Sequence, residues 1–351
     1  MQRGYIKYPL KFRPVFKLTI WGGNRIASFM DREECAESMA LLQEGKIGEC
    51  WGVSAVEGYE SVVINGELKG MSLPEVAELY GEKLLGTKNA ELFNRKFPLL
   101  VKFIDAAHDL SVQVHPNDMI AAERHGGIGK TEMWYVIESE SKASLLSGFA
   151  KDISKADFAK MEGQQVLDSL KRFDISEGDL FYLPAGTVHS IGAGAFIAEI
   201  QQSSDITYRI YDFDRVDDSG KRRELHIEQA LDAIDFSIKG DVCKISYKEL
   251  SSNSDNLWDY AFKAVECKYF STSVVKLSRA QASEKEYSLN FAHIDSFVII
   301  TCVKGAAKLC YGNGEKMNVA RGDVILLPAD LQSVNILVDS ENKFEFLETH
   351  I

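Results

Sequence analysis

His115, Glu132 and His189 are the residues whose types and spacing carry the clearest chemistry in this chain. Two imidazoles and one carboxylate make a small nitrogen and oxygen donor set suited to a borderline divalent metal such as zinc, iron or manganese. Segment 110–118 alternates in period two, so Ser111, Gln113 and His115 share one face of an expected strand while Val112 and Val114 share the other. A polar row directed inward needs partners there, because an unpaired buried polar group costs free energy.

Such residues need strands to hold them. Segment 9–23 reads as an edge strand through Phe12, Pro14, Phe16, Leu18, Ile20 and Trp21, broken by Gly22 and Gly23. Strand-like runs follow at 48–55 and 60–64, the second closed by the Asn65-Gly66 turn signal. At Ser72 the period changes: Ser72 and Glu75 form a capping box around Pro74, and Val76, Leu79, Tyr80 and Leu84 make a helical stripe. This predicts a helical insert over about 72–92. Strands are expected again at 97–105, 132–137, 143–149 and 291–297. A second helical stretch is expected from the Ser154 cap to about 173, interrupted near Gly163, and a third over about 224–236.

An internal echo sets the architecture. The segment from Glu177 through Gly178, Asp179, Leu183 and Pro184 to Ala185 recurs from Arg321 through Gly322, Asp323, Leu327 and Pro328 to Ala329. Each copy supplies a turn, a buried strand and a stop, and two copies predict two related barrels. His189 lies five residues beyond the first proline, and Ser333 takes that place in the second copy. The metal is therefore expected in the first barrel alone, with domains at 1–240 and 241–351.

The composition narrows the partners. The net charge is −12 and the lysines and arginines form no cluster, which argues against nucleic acid or an anionic membrane as the main partner. The chain has neither a bilayer-length apolar run nor a leader pattern, so a soluble cytoplasmic protein is expected. The six cysteines lack CxxC pairs, which disfavours both a disulfide framework and a thiolate metal site.

These segments resemble the cupin superfamily, and more closely the short bacterial form of the class I mannose-6-phosphate isomerases. The resemblance spans Pro9 to about Arg215. It rests on Trp21-Gly22-Gly23, Gly48-Glu49-Cys50-Trp51, the 97–102 strand, Gln113-Val114-His115-Pro116, Lys130-Thr131-Glu132-Met133-Trp134, Pro184 to His189, and Glu199 to Asp205. It implies a mainly β fold of two cupin-type jelly-roll barrels, the second a degenerate copy. It also implies one zinc ion per chain on Gln113, His115, Glu132 and His189, and a catalytic arginine at Arg209.

The implied reaction is aldose-ketose exchange between mannose 6-phosphate and fructose 6-phosphate through an enediolate. A metal and Arg209 would stabilise its negative oxygens. Glu199, Lys130, Asp205 and His189 are the candidate bases, with Glu199 placed first and Lys130 second, since a metal-bound imidazole is a poor base. Ser111 and Lys102 are expected to meet the hexose phosphate, with Arg209 or Arg215 as further cations. Two other readings stay open: a non-haem-iron oxidative cupin and a non-catalytic sugar-binding cupin. Monomer and homodimer are left equal.

Overall fold

The computed structural model describes residues 4–30, 35, 46–216, 220–245, 248–249, 261–278, 286–338 and 343–351. A seven-stranded sheet runs in the order Lys244–Ile245, Leu180–Leu183, Glu132–Ser139, Ala195–Gln202, Leu99–Asp105, Ile47–Val53 and Val15–Gly23. Opposite it stands a five-stranded sheet, Tyr208–Tyr211, Val112–Val114, His189–Ile191, Ser144–Phe149 and Leu170–Asp174. All of these pairings are antiparallel. The two sheets form the first jelly roll.

Alternation along the strands decides what each face does. In Ala195–Gln202, the residues Phe196, Ala198 and Ile200 join the core that packs the first barrel against the second. Ala195 and Ile197 point the other way, into an apolar interior with Ile104, Trp134, Val136, Phe181 and Leu183. Glu199 and Gln201 continue that inner face, so the barrel interior changes from apolar to polar along a single strand. The outer face of the five-stranded sheet is covered by Phe158, Val166, Ala230 and Ala233 from short helices.

The second barrel pairs an eight-stranded sheet with a four-stranded one. Strand Leu10–Arg13 belongs to the larger of these: Leu10 pairs with Leu326 and Lys11 with Ile325. Beyond Pro14 the chain crosses into the first barrel as Val15–Gly23. In the reverse direction, Lys244–Ile245 pairs with Leu180 and Phe181 of the first barrel. A cut at 240/241 therefore divides the chain but separates neither sheet completely. The fold is mainly β, with two cupin-type barrels and a small helical insert. Among the described residues no helix is long and apolar enough to cross a membrane.

The insert forms as the capping box requires. Ser72 Oγ accepts from the Glu75 amide and Glu75 Oε2 from the Ser72 amide, at 3.4 and 2.7 Å. It then breaks into helices Leu73–Tyr80, Glu82–Leu85 and Thr87–Leu92 at Gly81 and Gly86, whose φ values are 44° and 88°.

Three expectations need correction. The helical stretch expected to about 173 stops at Ser169, whose hydroxyl turns back to the Val166 carbonyl, and Leu170–Asp174 is a strand paired with Ser144–Phe149. The third helix is shorter than expected, Ile227–Ala233. Residues 291–297 are turns rather than a strand, because Asn290 Oδ1 captures the Ala292 amide just after strand Glu286–Asn290. Helices Arg25–Phe29 and Asp118–His125, the latter capped by Asn117 and ended by Gly126, had no counterpart in the sequence reading.

Candidate metal centre and active site

His115, Glu132 and His189 converge at the polar end of the first barrel, all buried, with one ligand atom of each within 4.8 Å of the others. Backbone carbonyls fix the imidazoles. His115 Nδ1 donates to Ile206 O at 2.8 Å and His189 Nδ1 to Thr187 O at 2.9 Å, which leaves both Nε2 lone pairs facing Glu132. Nε2 of His115 lies 3.5 Å from one Glu132 oxygen, and Nε2 of His189 lies 3.3 Å from the other. Both Glu132 oxygens are buried without a hydrogen-bond partner among the described residues.

Two oriented imidazoles facing a buried carboxylate fit a divalent cation. Burial pushes Glu132 up to about 7, with the charge of Glu199 adding to it. Burial likewise holds His189 down at about 4 and His115 well below its usual value, so both rings are neutral ligands at neutral pH. The ammonium of Lys130 is drawn to the same donors, 3.0 Å from His115 Nε2 and 3.1 Å from Glu132 Oε2. Gln113 is the strand partner of His189, and its amide lies 3.3 Å from His189 Nε2. A flip of that amide presents its oxygen at the same point.

The adjoining wall is a cross-strand row: Glu199 pairs with Lys102 on one side and Trp134 on the other. Lys102 Nζ lies 2.9 Å from Glu199 Oε1 and 3.6 Å from Glu49, while Trp134 Nε1 donates to Glu199 Oε2 at 2.7 Å. Burial alone would raise the Glu199 carboxyl; Lys102 and Lys130 outweigh it and hold the group below its ordinary range. Burial would likewise strip the proton from Lys102, but Glu199 and Glu49 keep it charged. The pair is thus fully ionised inside the barrel.

Arg209 is the strand partner of Gln113 on the side away from His189, so the three share one face. Its Nη1 donates to Glu224 O at 2.9 Å, and its Nε is buried without a partner among the described residues. Ser111 is buried just before the Val112–Val114 strand, on the face of Gln113. Arg215 and Arg223 both grip Asp212, at 2.6 and 2.7 Å. Asp205 does not join the buried cluster; it is exposed, and its charge acts on Lys17.

The sequence reading gave no role to Trp134 or Glu49. The signal was present, since Glu49 and Trp51, like Glu132 and Trp134, stand two apart on a strand and therefore share a face. It also missed the brace around Lys130. Gly129 N donates to Asp118 Oδ1 at 3.0 Å, Lys130 N to Pro116 O at 3.2 Å and Thr131 N to Gln202 Oε1 at 2.9 Å. Gln202 Nε2 in turn donates to Asp118 at 2.9 Å, and Tyr269 of the second barrel donates its hydroxyl to the other Asp118 oxygen at 2.7 Å.

Comparison with known proteins agrees with this arrangement. Residues 10–129 match the family model described as phosphomannose isomerase type I, catalytic domain, and residues 261–341 match mannose-6-phosphate isomerase, cupin domain. Mannose-6-phosphate isomerase ManA of Bacillus subtilis (strain 168) is 35% identical over 324 residues, 92% of this chain and 94% of the relative. The crystal structure of the mannose 6-phosphate isomerase from Bacillus subtilis superposes with a TM-score of 0.80 at 30% identity, covering 98% of this chain and 99% of that one. A mannose 6-phosphate isomerase solved with zinc and yttrium shares the fold at a TM-score of 0.72 and 16% identity, covering 97% of this chain and 99% of that one. With the likeness to ManA extending over nearly the whole of both chains, this chain belongs to the type I phosphomannose isomerase family.

Proposed function

We propose that this chain interconverts mannose 6-phosphate and fructose 6-phosphate at the polar end of its first barrel. The observation that carries the reading is the buried Glu132 carboxylate, its charge met by Lys130, facing two oriented imidazoles beside an ionised Lys102–Glu199 pair. His115, Glu132 and His189, with Gln113 as a fourth donor, would hold one zinc ion. The metal would polarise the substrate's carbonyl and hydroxyl and stabilise negative charge on them.

The chain's own groups account for the rest. Glu199 is held ionised by Lys102 and Trp134, which is the form a base needs to take the proton between the two reacting carbons. Lys130 presents an ammonium to the developing oxyanions, and Arg209 adds a permanent cation on the face of Gln113. Ser111 and Lys102 line the path of the substrate, and Asp205 stands at its exposed rim.

The test is conversion of mannose 6-phosphate to fructose 6-phosphate by the purified protein, before and after chelation and after zinc is restored. Activity lost with chelator and recovered with zinc supports the reading. A zinc-loaded protein that does not turn over this substrate overturns it.

A further inference from the structure

Lys17 lies on Val15–Gly23, the outermost strand of the sheet that carries the site, paired in register with Glu49. Its ammonium is 3.7 Å from the ring centroid of Trp51 and 3.6 Å from that of Tyr59, and the two rings are 5.3 Å apart. Lysine ordinarily keeps its charged end in water. This one is half-buried, and burial pulls its pKa down. Glu49, its neighbour across the strands, turns instead to Trp51 Nε1 at 2.7 Å and Lys102 at 3.6 Å. Lys17 forms no ion pair with a described residue.

Several neighbouring cations are already engaged by carboxylates: Lys102 by Glu199, Lys130 by Glu132, and Arg215 and Arg223 by Asp212; Arg209, which has no carboxylate partner among the described residues, stands on the other sheet beside Gln113. The sequence assigns the substrate's phosphate to Ser111 and Lys102, with Arg209 or Arg215 as further cations. Lys102 is neutralised by Glu199, and Arg215 shares Asp212 with Arg223; a dianion gains less from a cation that is already paired. Lys17 differs on each count. Two aromatic faces fix it without cancelling its charge, so little ordering remains to be done on binding. It also stands beside the reacting groups, because Trp51 pairs with Lys102 and Lys102 with Glu199. From the strand of Glu132 to that of Trp51 is three strand spacings, roughly 14 Å along the curved sheet. That separation is on the scale of an open-chain hexose phosphate with a contact at each end. Tyr59 is partly exposed and Asp205, whose charge Lys17 feels, is exposed, so this end of the row reaches solvent.

We infer that Lys17, held between Trp51 and Tyr59, is the residue that selects the phosphate group of the substrate. The inference rests on the isomerase reading above. Lys17→Met should raise KM for mannose 6-phosphate at least tenfold while kcat stays within about twofold, the pattern of lost binding common to ground and transition states. Competitive inhibition by inorganic phosphate should weaken by the same factor, zinc content should not change, and Lys17→Arg should restore most of the affinity. Tyr59→Leu, at a partly exposed ring, should move KM in the same direction by a smaller factor. An unchanged KM and unchanged phosphate inhibition in Lys17→Met would overturn the inference, as would a loss confined to kcat. If the zinc-loaded wild type does not turn over mannose 6-phosphate, the isomerase reading itself fails. Calorimetric titration of wild type and Lys17→Met with inorganic phosphate then still decides the role of the lysine, equal affinities counting against it.

Discussion

The two barrels repeat one frame and fill it in opposite ways. Leu183 and Leu327 occupy the same place in the repeated segment; Leu183 pairs with Glu132, whereas Leu327 pairs with Val298. Two residues earlier, Phe181 pairs with Trp134, and Ile325 with Ile300. His189 is buried, and its counterpart Ser333 is exposed. The interior of the second barrel is closed by Leu309, Ile336, Phe344 and Phe346. Backbone register is thus common to both barrels, and chemistry follows from which positions carry side chains that need a partner.

One carboxylate persists in both. Glu199 lies opposite Trp134, and Glu348 opposite Ile300. The cation does not persist: the strand partner of Glu199 on its other side is Lys102, and that of Glu348 is Ser273. Glu348 accepts from His350 Nδ1 at 2.9 Å, and its other oxygen has no hydrogen-bond partner among the described residues.

Substitutions can break this contrast, the strongest by removing the metal donors. Glu132→Ala or His189→Ala should lower both zinc content and turnover by more than about a hundredfold, since even outer partners of metal ligands are worth 10–100-fold; a variant that retains metal and activity would contradict the assignment. Next comes the buried ion pair. Lys102→Met leaves Glu199 charged and alone and should cost about 3–5 kcal/mol in urea unfolding. The double variant Lys102→Met/Glu199→Leu should recover part of that stability while remaining inactive.

In the second barrel the same kind of measurement should find packing in place of charge. Ile336→Ala should cost about 2–5 kcal/mol with kcat nearly unchanged, and Glu348→Gln should shift stability by no more than about 1 kcal/mol. The smallest effect concerns pH. Burial would raise Asp118, but Tyr269 and Gln202 outweigh it and depress its pKa below 3.8. A depressed carboxylate contributes stability that is present above its unfolded value and lost as pH falls through the folded one. The difference in Tm between wild type and Asp118→Asn should therefore be full at neutral pH and shrink below pH 3.8; a constant difference would show that Asp118 acts through shape alone.

The buried His115, Glu132 and His189 cluster was legible because Gln113 and His115 alternate with buried valines, and because Glu132 and His189 sit in recognisable motifs. Their neighbours were not, because register joins them. Trp134 reaches Glu199 across 65 positions, and nothing local in either segment announces the bond. Helix Asp118–His125 buries only Ala121, so it shows no apolar stripe to read. Leu170 and Phe173 stand three apart, a spacing shared with a helix face, and only the pairing with Ser144–Phe149 makes them a strand. The sequence also displays charges but not which of them are paired, as Lys102 is with Glu199.

The placement of Leu10–Arg13 bears on how the chain comes to be folded. This strand is synthesised long before its partner Val324–Leu327. Until then one of its edges can pair with Val62–Val63 while the other has no final partner, and closing so long a loop is the kind of non-local step that slows folding. The segment that leads into strand Val15–Gly23 is therefore held on both edges only once the second barrel is made. A nascent chain halted before the second barrel would expose an apolar strand and leave the Lys130 loop without the Tyr269 brace. Synthesis of the second barrel and completion of the catalytic end become, in time, nearly the same event.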